Sequence, residues 1–167
     1  MEISVRKAEK RDVTAILAIV NYEILNSTLL YDYEERTFQQ QLTWFEQKER
    51  EKMPVIVAEL ETQVIGFGTY GIFRPWDAYQ FSVEHSIYVT KEFRGKGVGK
   101  RLLTQLIELA KTNGYHTMIA GVDGSNKKSF EFHKNFGFEE IGTFKEIGFK
   151  FNKWLDLRFL QLFLKEN

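Results

Sequence analysis

The stretch Ser82-Val83-Glu84-His85-Ser86-Ile87-Tyr88-Val89, followed by Arg94-Gly95-Lys96-Gly97-Val98-Gly99, decides how the rest of the chain is read. Residues 79 to 90 read as a long strand, rich in β-branched and aromatic side chains. Beyond the glycines, Val98, Leu102, Leu103, Leu106 and Ala110 recur at helical spacing, and Asn113-Gly114 ends the helix. A strand that passes through glycines into a helix is suited to holding an anion. Glycine lets backbone N–H groups turn toward one point with no Cβ in the way, and the helix N-terminus adds partial positive charge. Arg94, Lys96, Lys100 and Arg101 add full charges, so the expected product is a pyrophosphate cradle. The pattern lacks the GxxxxGK[ST] of a nucleotide triphosphatase. Its G-x-G-x-G spacing with interleaved cations also departs from the G-x-G-x-x-G of a dinucleotide fold.

Working outward, Ile3 and Val5 alternate with polar residues, so residues 2 to 7 predict a first strand. Asp12 is placed to cap a helix carrying Val13, Ile16, Leu17, Val20 and Ile24 on one face. Thr37 with Gln40 has the spacing of a capping box and opens a second helix, with Phe38, Leu42 and Phe45 inward. Between these helices, residues 26 to 36 hold Leu29, Leu30, Tyr31 and Tyr33, too apolar for an ordinary surface loop. Val55–Leu60 and Val64–Phe73 predict a hairpin across Glu61-Thr62-Gln63. Arg74-Pro75-Trp76-Asp77 breaks the chain before the central strand. Thr117 to Val122 predicts another strand, and Asp123-Gly124-Ser125-Asn126 a turn capping a short helix that Gly137 stops. Strands near 138 to 150 and 154 to 164 finish the chain. The order β α α β β β α β α β β implies an α/β (α+β) protein with a mixed sheet flanked by helices.

The chain has 167 residues, the size of one domain over 1–167, with neither repeat nor linker. Lys plus Arg and Asp plus Glu both number 23, which removes the general electrostatic reason to expect nucleic acid or an anionic membrane as partner. There is no cysteine, which excludes a disulfide framework, a zinc ribbon, a redox CxxC and any acyl-cysteine mechanism. Met1 to Lys10 has no hydrophobic signal core, and no apolar run approaches the roughly 20 residues of a membrane span. A cytoplasmic protein without a metal is the expectation.

Arg94-x-x-Gly97-x-Gly99 resembles the Q/R-x-x-G-x-G/A signature of the GNAT acetyltransferases. Val83-Glu84-His85-Ser86-Ile87-Tyr88-Val89 resembles the strand before that loop in the phosphinothricin acetyltransferase subgroup. Asn126 to Phe138, with Ser129, His133 and Gly137-Phe138, resembles its second coenzyme-contacting helix. Gly148-Phe149-Lys150 and Lys153-Trp154-Leu155-Asp156 resemble its C-terminal hairpin. The resemblance covers the whole chain and implies a mostly antiparallel sheet of about seven strands with about four helices. It implies acetyl-CoA as cosubstrate, held by Arg94, Gly95, Lys96, Gly97, Val98, Gly99 and Lys100, by backbone groups of Ile87, Tyr88 and Val89, and by Asn126 and Ser129. It also implies a homodimer, and as acceptor the α-amine of phosphinothricin, methionine sulfoximine or methionine sulfone.

Such a transfer needs a base, because free amines with pKa values of about 8 to 10.4 are mostly protonated at pH 7. It also needs donors for the developing oxyanion. Phe81, Val83, Ile87 and Val89 share one strand face; Ser82, Glu84, Ser86 and Tyr88 share the other. Glu84 therefore faces away from the main apolar set, and the subgroup has its proposed base at this position. His85, on the opposite face, is the rival base. His133 stands where many GNAT enzymes carry a tyrosine acid, and an imidazole can donate a proton near neutral pH. For the acceptor, Arg74 is a fork for carboxylate or phosphinate oxygens, with Tyr31, Tyr33 and Trp76 as aromatic walls. Lys150 and Lys153 read as a solvated pair. Two other readings stay open: acetylation of protein N-termini or lysines, and a catalytically idle acyl-CoA sensor.

Overall fold

The computed structural model describes residues 2 to 164; Met1 and residues 165 to 167 of the expected domain lie outside the described residues. Eleven elements follow the expected order: β1 (Ile3–Lys7), α1 (Val13–Asn26), α2 (Phe38–Arg50), β2 (Val55–Leu60), β3 (Gln63–Ile72), β4 (Ser82–Val89), α3 (Val98–Thr112), β5 (Thr117–Asp123), α4 (Lys127–Asn135), β6 (Glu139–Lys150) and β7 (Lys153–Phe163). The central strand is shorter at its start than expected, because Asp77–Tyr79 close into a 3-10 turn.

The strands form one seven-stranded sheet in the order β1-β2-β3-β4-β5-β7-β6. Every neighbouring pair is antiparallel except β4 and β5. That parallel pair is joined only from Ser82↔Thr117 to Glu84↔Ile119. Beyond Glu84, β4 stays paired with β3 as far as Val89, and β5 stays paired with β7 as far as Asp123. The two halves of the sheet therefore part like a fork.

Each face of the sheet is covered by its own helices. Val83, Met118, Ala120 and Leu160 pack with Val98, Leu102, Leu103 and Leu106 of α3, the strongly amphipathic helix. On the other face Val55, Val57 and Phe67 pack with Val13, Ile16 and Val20 of α1 and Phe45 of α2. The helix starts differ. Thr37 and Gln40 make the expected capping box, with Thr37 Oγ1 accepting from the Gln40 amide at 3.2 Å and Gln40 Oε1 from the Thr37 amide at 2.8 Å. Asp12 does not cap α1 through its side chain. Its carboxylate instead accepts from Arg6 at 2.7 and 2.9 Å and from the Glu9 amide at 2.8 Å. A bidentate charged partner on β1 outcompetes the amides of α1.

Lys150 also differs from expectation. Lys153 is exposed, but Lys150 is buried, and burial pushes its ammonium pKa down. Its Nζ donates to the carbonyls of Ser27 at 2.9 Å and Leu30 at 2.5 Å. The tip of the β6–β7 hairpin, which turns through left-handed Phe151 and Asn152, thereby anchors the apolar 26–36 segment. Lys150→Met keeps the stem and deletes these bonds. It is expected to cost about 1–3 kcal/mol in urea unfolding and to speed proteolysis within residues 26–36. Unchanged cleavage of that segment would count against the anchor.

Candidate functional site

The fork between β4 and β5 opens a cleft of about 300 Å³. Its walls include Thr28, Leu29 and Tyr31 from the anchored segment, Glu84 to Tyr88 from β4, Gly121 and Asp123 from β5, and Ser129, Phe132 and His133 from α4. A larger hollow of about 700 Å³ lies across α1. Its inner charges are already matched, Arg6 with Asp12 and Glu59, and Glu23 with Arg94.

Strand alternation decides which β4 amides face the cleft. The Ser82 carbonyl and the Thr90 amide bond to the β3 side, with the Phe73 amide and the Ile65 carbonyl. The even-numbered residues between them share that direction, so the odd-numbered amides face β5; that of His85 closes the last rung of the parallel pairing, and those of Ile87 and Val89 point into the fork. A peptide-like ligand could pair with this edge as an added strand would.

The glycine turn lies just past the end of β4. Gly95 and Gly97 have φ of 74° and 83°, and a Cβ on either would meet no atom within 4 Å. Glycine is needed there for the left-handed backbone, not for space. A Cβ at Gly99 would make ordinary contacts of 3.7 Å with Ile87 and Phe132. The open backbone before the buried N-terminal residue Val98 of α3 suits a pyrophosphate. The four cations do not act alike. Arg94 folds back, its Nε donating to the Val89 carbonyl at 3.0 Å and its guanidinium pairing with the buried Glu23 carboxylate. Arg101 donates to the Ile3 carbonyl at 3.2 Å. Lys96 lies over the Phe93 ring, and Lys100 is exposed.

Glu84 is half-buried at the last position where β4 pairs with β5, on the face away from Val83. Burial raises its carboxyl pKa above the ordinary value, while the charge of Arg74 pulls the other way. Arg74 thus acts electrostatically on Glu84, although it lies with Trp76 along a neighbouring groove beside Trp44 and Lys48. Tyr31 lines the cleft, whereas Tyr33 donates to the Phe149 carbonyl at 2.5 Å at the hairpin tip. Asn126 caps α4 by accepting from the Ser129 amide at 3.0 Å.

The two candidate histidines, expected as rivals, meet. His85 Nε2 and His133 Nε2 are 3.0 Å apart, and His133 Nδ1 is 2.7 Å from the Ser129 carbonyl. A carbonyl only accepts, so His133 carries its proton on Nδ1. In the neutral pair, His85 Nε2–H then donates to His133 Nε2. Both ring nitrogens of His133 are engaged within the protein. Burial holds the His85 pKa down to about 3, reinforced by its neighbour, and burial lowers His133 as well.

Glu23, Gly121 and Asp123 were not legible as site residues. Burial works to raise the Asp123 carboxyl, but hydrogen bonds from Ser125 and Thr28 outweigh it and hold the pKa below the ordinary value.

The histidine pair makes a prediction with a definite sign. A buried imidazole with a lowered folded pKa contributes stability present above the unfolded value of 6.5 and lost as pH falls toward 3. The urea midpoint is expected to fall between pH 7.5 and 5, before most carboxylates titrate, and less steeply in His85→Gln. Equal slopes in the two proteins would show that His85 is not the titrating group.

Residues 19–138 match the model of the "Acetyltransferase (GNAT) family". An L-methionine sulfoximine/L-methionine sulfone acetyltransferase of Pseudomonas aeruginosa is 38% identical over 163 residues, covering 97% of this chain and 95% of that protein. The crystal structure of an N-acetyltransferase from Staphylococcus aureus superposes with a TM-score of 0.97 at 47% identity, covering 99% of this chain and 100% of that one. A GNAT superfamily phosphinothricin acetyltransferase from Sinorhizobium meliloti, solved in complex with acetyl-CoA, superposes with a TM-score of 0.94 at 35% identity, covering 98% and 89%.

Proposed function

The chain belongs to the GNAT acetyltransferase family, and from that premise we propose that it moves the acetyl group of acetyl-CoA to the primary amine of a small amino-acid-like acceptor of the phosphinothricin, methionine sulfoximine or methionine sulfone kind. The observation that carries the reading is Glu84, a half-buried carboxylate at the point where β4 loses its neighbour and its amides turn into the cleft.

Bound acetyl-CoA supplies an activated acetyl thioester. The amides of Ile87 and Val89 line the edge on which its amide-bearing arm is held, and the Val89 N–H polarises the thioester carbonyl. Backbone from Gly95 to Gly99, with Lys96 and Lys100, receives the pyrophosphate, while Asn126 and Ser129 stand at the start of α4. Arg94 braces this loop against Val89 and Glu23. Glu84, ionised, takes the proton of the acceptor ammonium, directly or through water, so that a free amine can form the N–C bond as the C–S bond breaks; coenzyme A leaves as the thiolate, which takes up the second proton shed by the nitrogen. Its raised pKa makes it a better acceptor than a solvated glutamate. The charge of Arg74 works against that rise and is offered to the anionic end of the acceptor. Tyr31 walls the acceptor side. His133, with both nitrogens held, shapes the cleft beside Ser129.

The reading carries with it a cytoplasmic place; among the described residues no helix is long and apolar enough to cross a membrane. It also carries a homodimer. β6 is an end strand, and Ile141, Phe144 and Ile147 on it are 62%, 51% and 56% exposed. A second copy of the chain covers these side chains. Wild-type protein is expected to sediment as a dimer and Ile141→Glu/Phe144→Glu as a monomer. A wild-type monomer would refute this part.

Free thiol released from acetyl-CoA tests the chemistry, since a chain without cysteine leaves coenzyme A as the thiol detected. Saturable turnover is expected with phosphinothricin, methionine sulfoximine or methionine sulfone. Turnover confined to a lysine or N-terminal peptide would replace the proposed acceptor class, and acetyl-CoA binding with no turnover would favour the idle sensor. Glu84→Gln is expected to lower kcat by about 10²-fold with little change in acetyl-CoA affinity. A change below about threefold would remove Glu84 as base.

A further inference from the structure

The fork has a floor with no side chain. On β5, Met118, Ala120 and Val122 face the α3 core, so Ile119, Gly121 and Asp123 face the other way. Glu84 is paired with Ile119, and the next β5 residue on that face is Gly121. There the strands have already parted, and the Glu84 carboxylate reaches across the gap. A Cβ built on Gly121 would stand 3.2 Å from Glu84 Oε1, 3.4 Å from Leu157 Cδ1 and 3.7 Å from Phe159 Cε1. The last two are ordinary contacts. The first is tight, and it is made with the free end of a flexible side chain.

The backbone does not ask for glycine here. Gly121 is not among the positive-φ residues, and glycine inside a strand weakens it. What the missing Cβ provides is room for a carboxylate. We propose that Gly121 is a positioning residue for acetyl transfer: its bare Cα is the surface against which the Glu84 carboxylate rests at the mouth of the fork. The inference rests on the reading of Glu84 as base. A methyl group at 121 leaves the fold intact and moves the carboxylate outward by a few tenths of an ångström. It also sets an apolar group against the carboxylate where water now reaches, which adds to the burial that raises the Glu84 pKa.

Three variants and one spectroscopic readout test this: Gly121→Ala, Glu84→Gln, the double variant, and carbon-13 titration of the Glu84 side-chain carboxyl. Gly121→Ala is expected to melt no lower than wild type and to keep its KM for acetyl-CoA within about twofold. Its kcat should fall by about tenfold, since small misplacements of reacting groups are costly. The Glu84 pKa should move up, further from that of a solvated glutamate. The double variant should be no slower than Glu84→Gln, because the position acts through that carboxylate. An unmoved Glu84 pKa in Gly121→Ala, or additive losses in the double variant, would overturn the proposal. Wild-type turnover by Glu84→Gln would overturn the base reading instead, while the titration still decides whether Gly121 places the carboxylate.

Discussion

The parallel contact between β4 and β5 is three residues long, and the site exists because it ends there. A continued ladder would spend the amides of Ile87 and Val89 on β5 and fill the cleft with backbone. Each strand is held past that point by its other neighbour, β3 on one side and β7 on the other. The sheet can therefore open without fraying. The helices follow the same division. The α3 core runs across both halves on one face, which keeps them together, while α1 and α2 cover β2 and β3 on the other. The second wall comes from the 26–36 segment, pinned by Lys150.

Polar groups around the fork are held by the fold as well as poised for a ligand. Arg94 shows this best. The cradle signature marks it as a phosphate contact, yet its guanidinium joins the loop to the Val89 carbonyl and to a carboxylate buried on α1. A rigid loop presents its amides already aligned, which lowers the ordering cost of binding. The histidines behave alike. Two imidazoles sharing one hydrogen bond, with a carbonyl on the far nitrogen, form a neutral buried unit. That arrangement suits a wall better than a proton donor, and it leaves Glu84 as the cleft group with a raised carboxyl pKa.

Where the deciding contacts are local, the residue pattern predicts them. The capping box at Thr37 and Gln40 spans four residues and is present as expected. The face assignments along β4 depend only on alternation, and Glu84 and His85 do lie on opposite faces. Asp12 misled because its partner, Arg6, sits on a different element. Lys150 misled because its acceptors are carbonyls more than a hundred residues away. Trp76 and Tyr33 have the composition of a pocket wall, but the turn at Asp77–Tyr79 and the hairpin tip carry them elsewhere.

The element order, the glycine turn opening α3 and a carboxylate on the outer face of the central strand can all be read from the residue order. Periodicity, turn chemistry and strand alternation act over a few residues, so they are written in the chain. The folded chain alone shows where β4 and β5 part, that His85 and His133 bond, that Arg94 is tied to Glu23, and that Gly121 lies beneath Glu84. These join residues that are distant in sequence, and no local pattern records a contact made by a strand crossing or by the absence of a side chain.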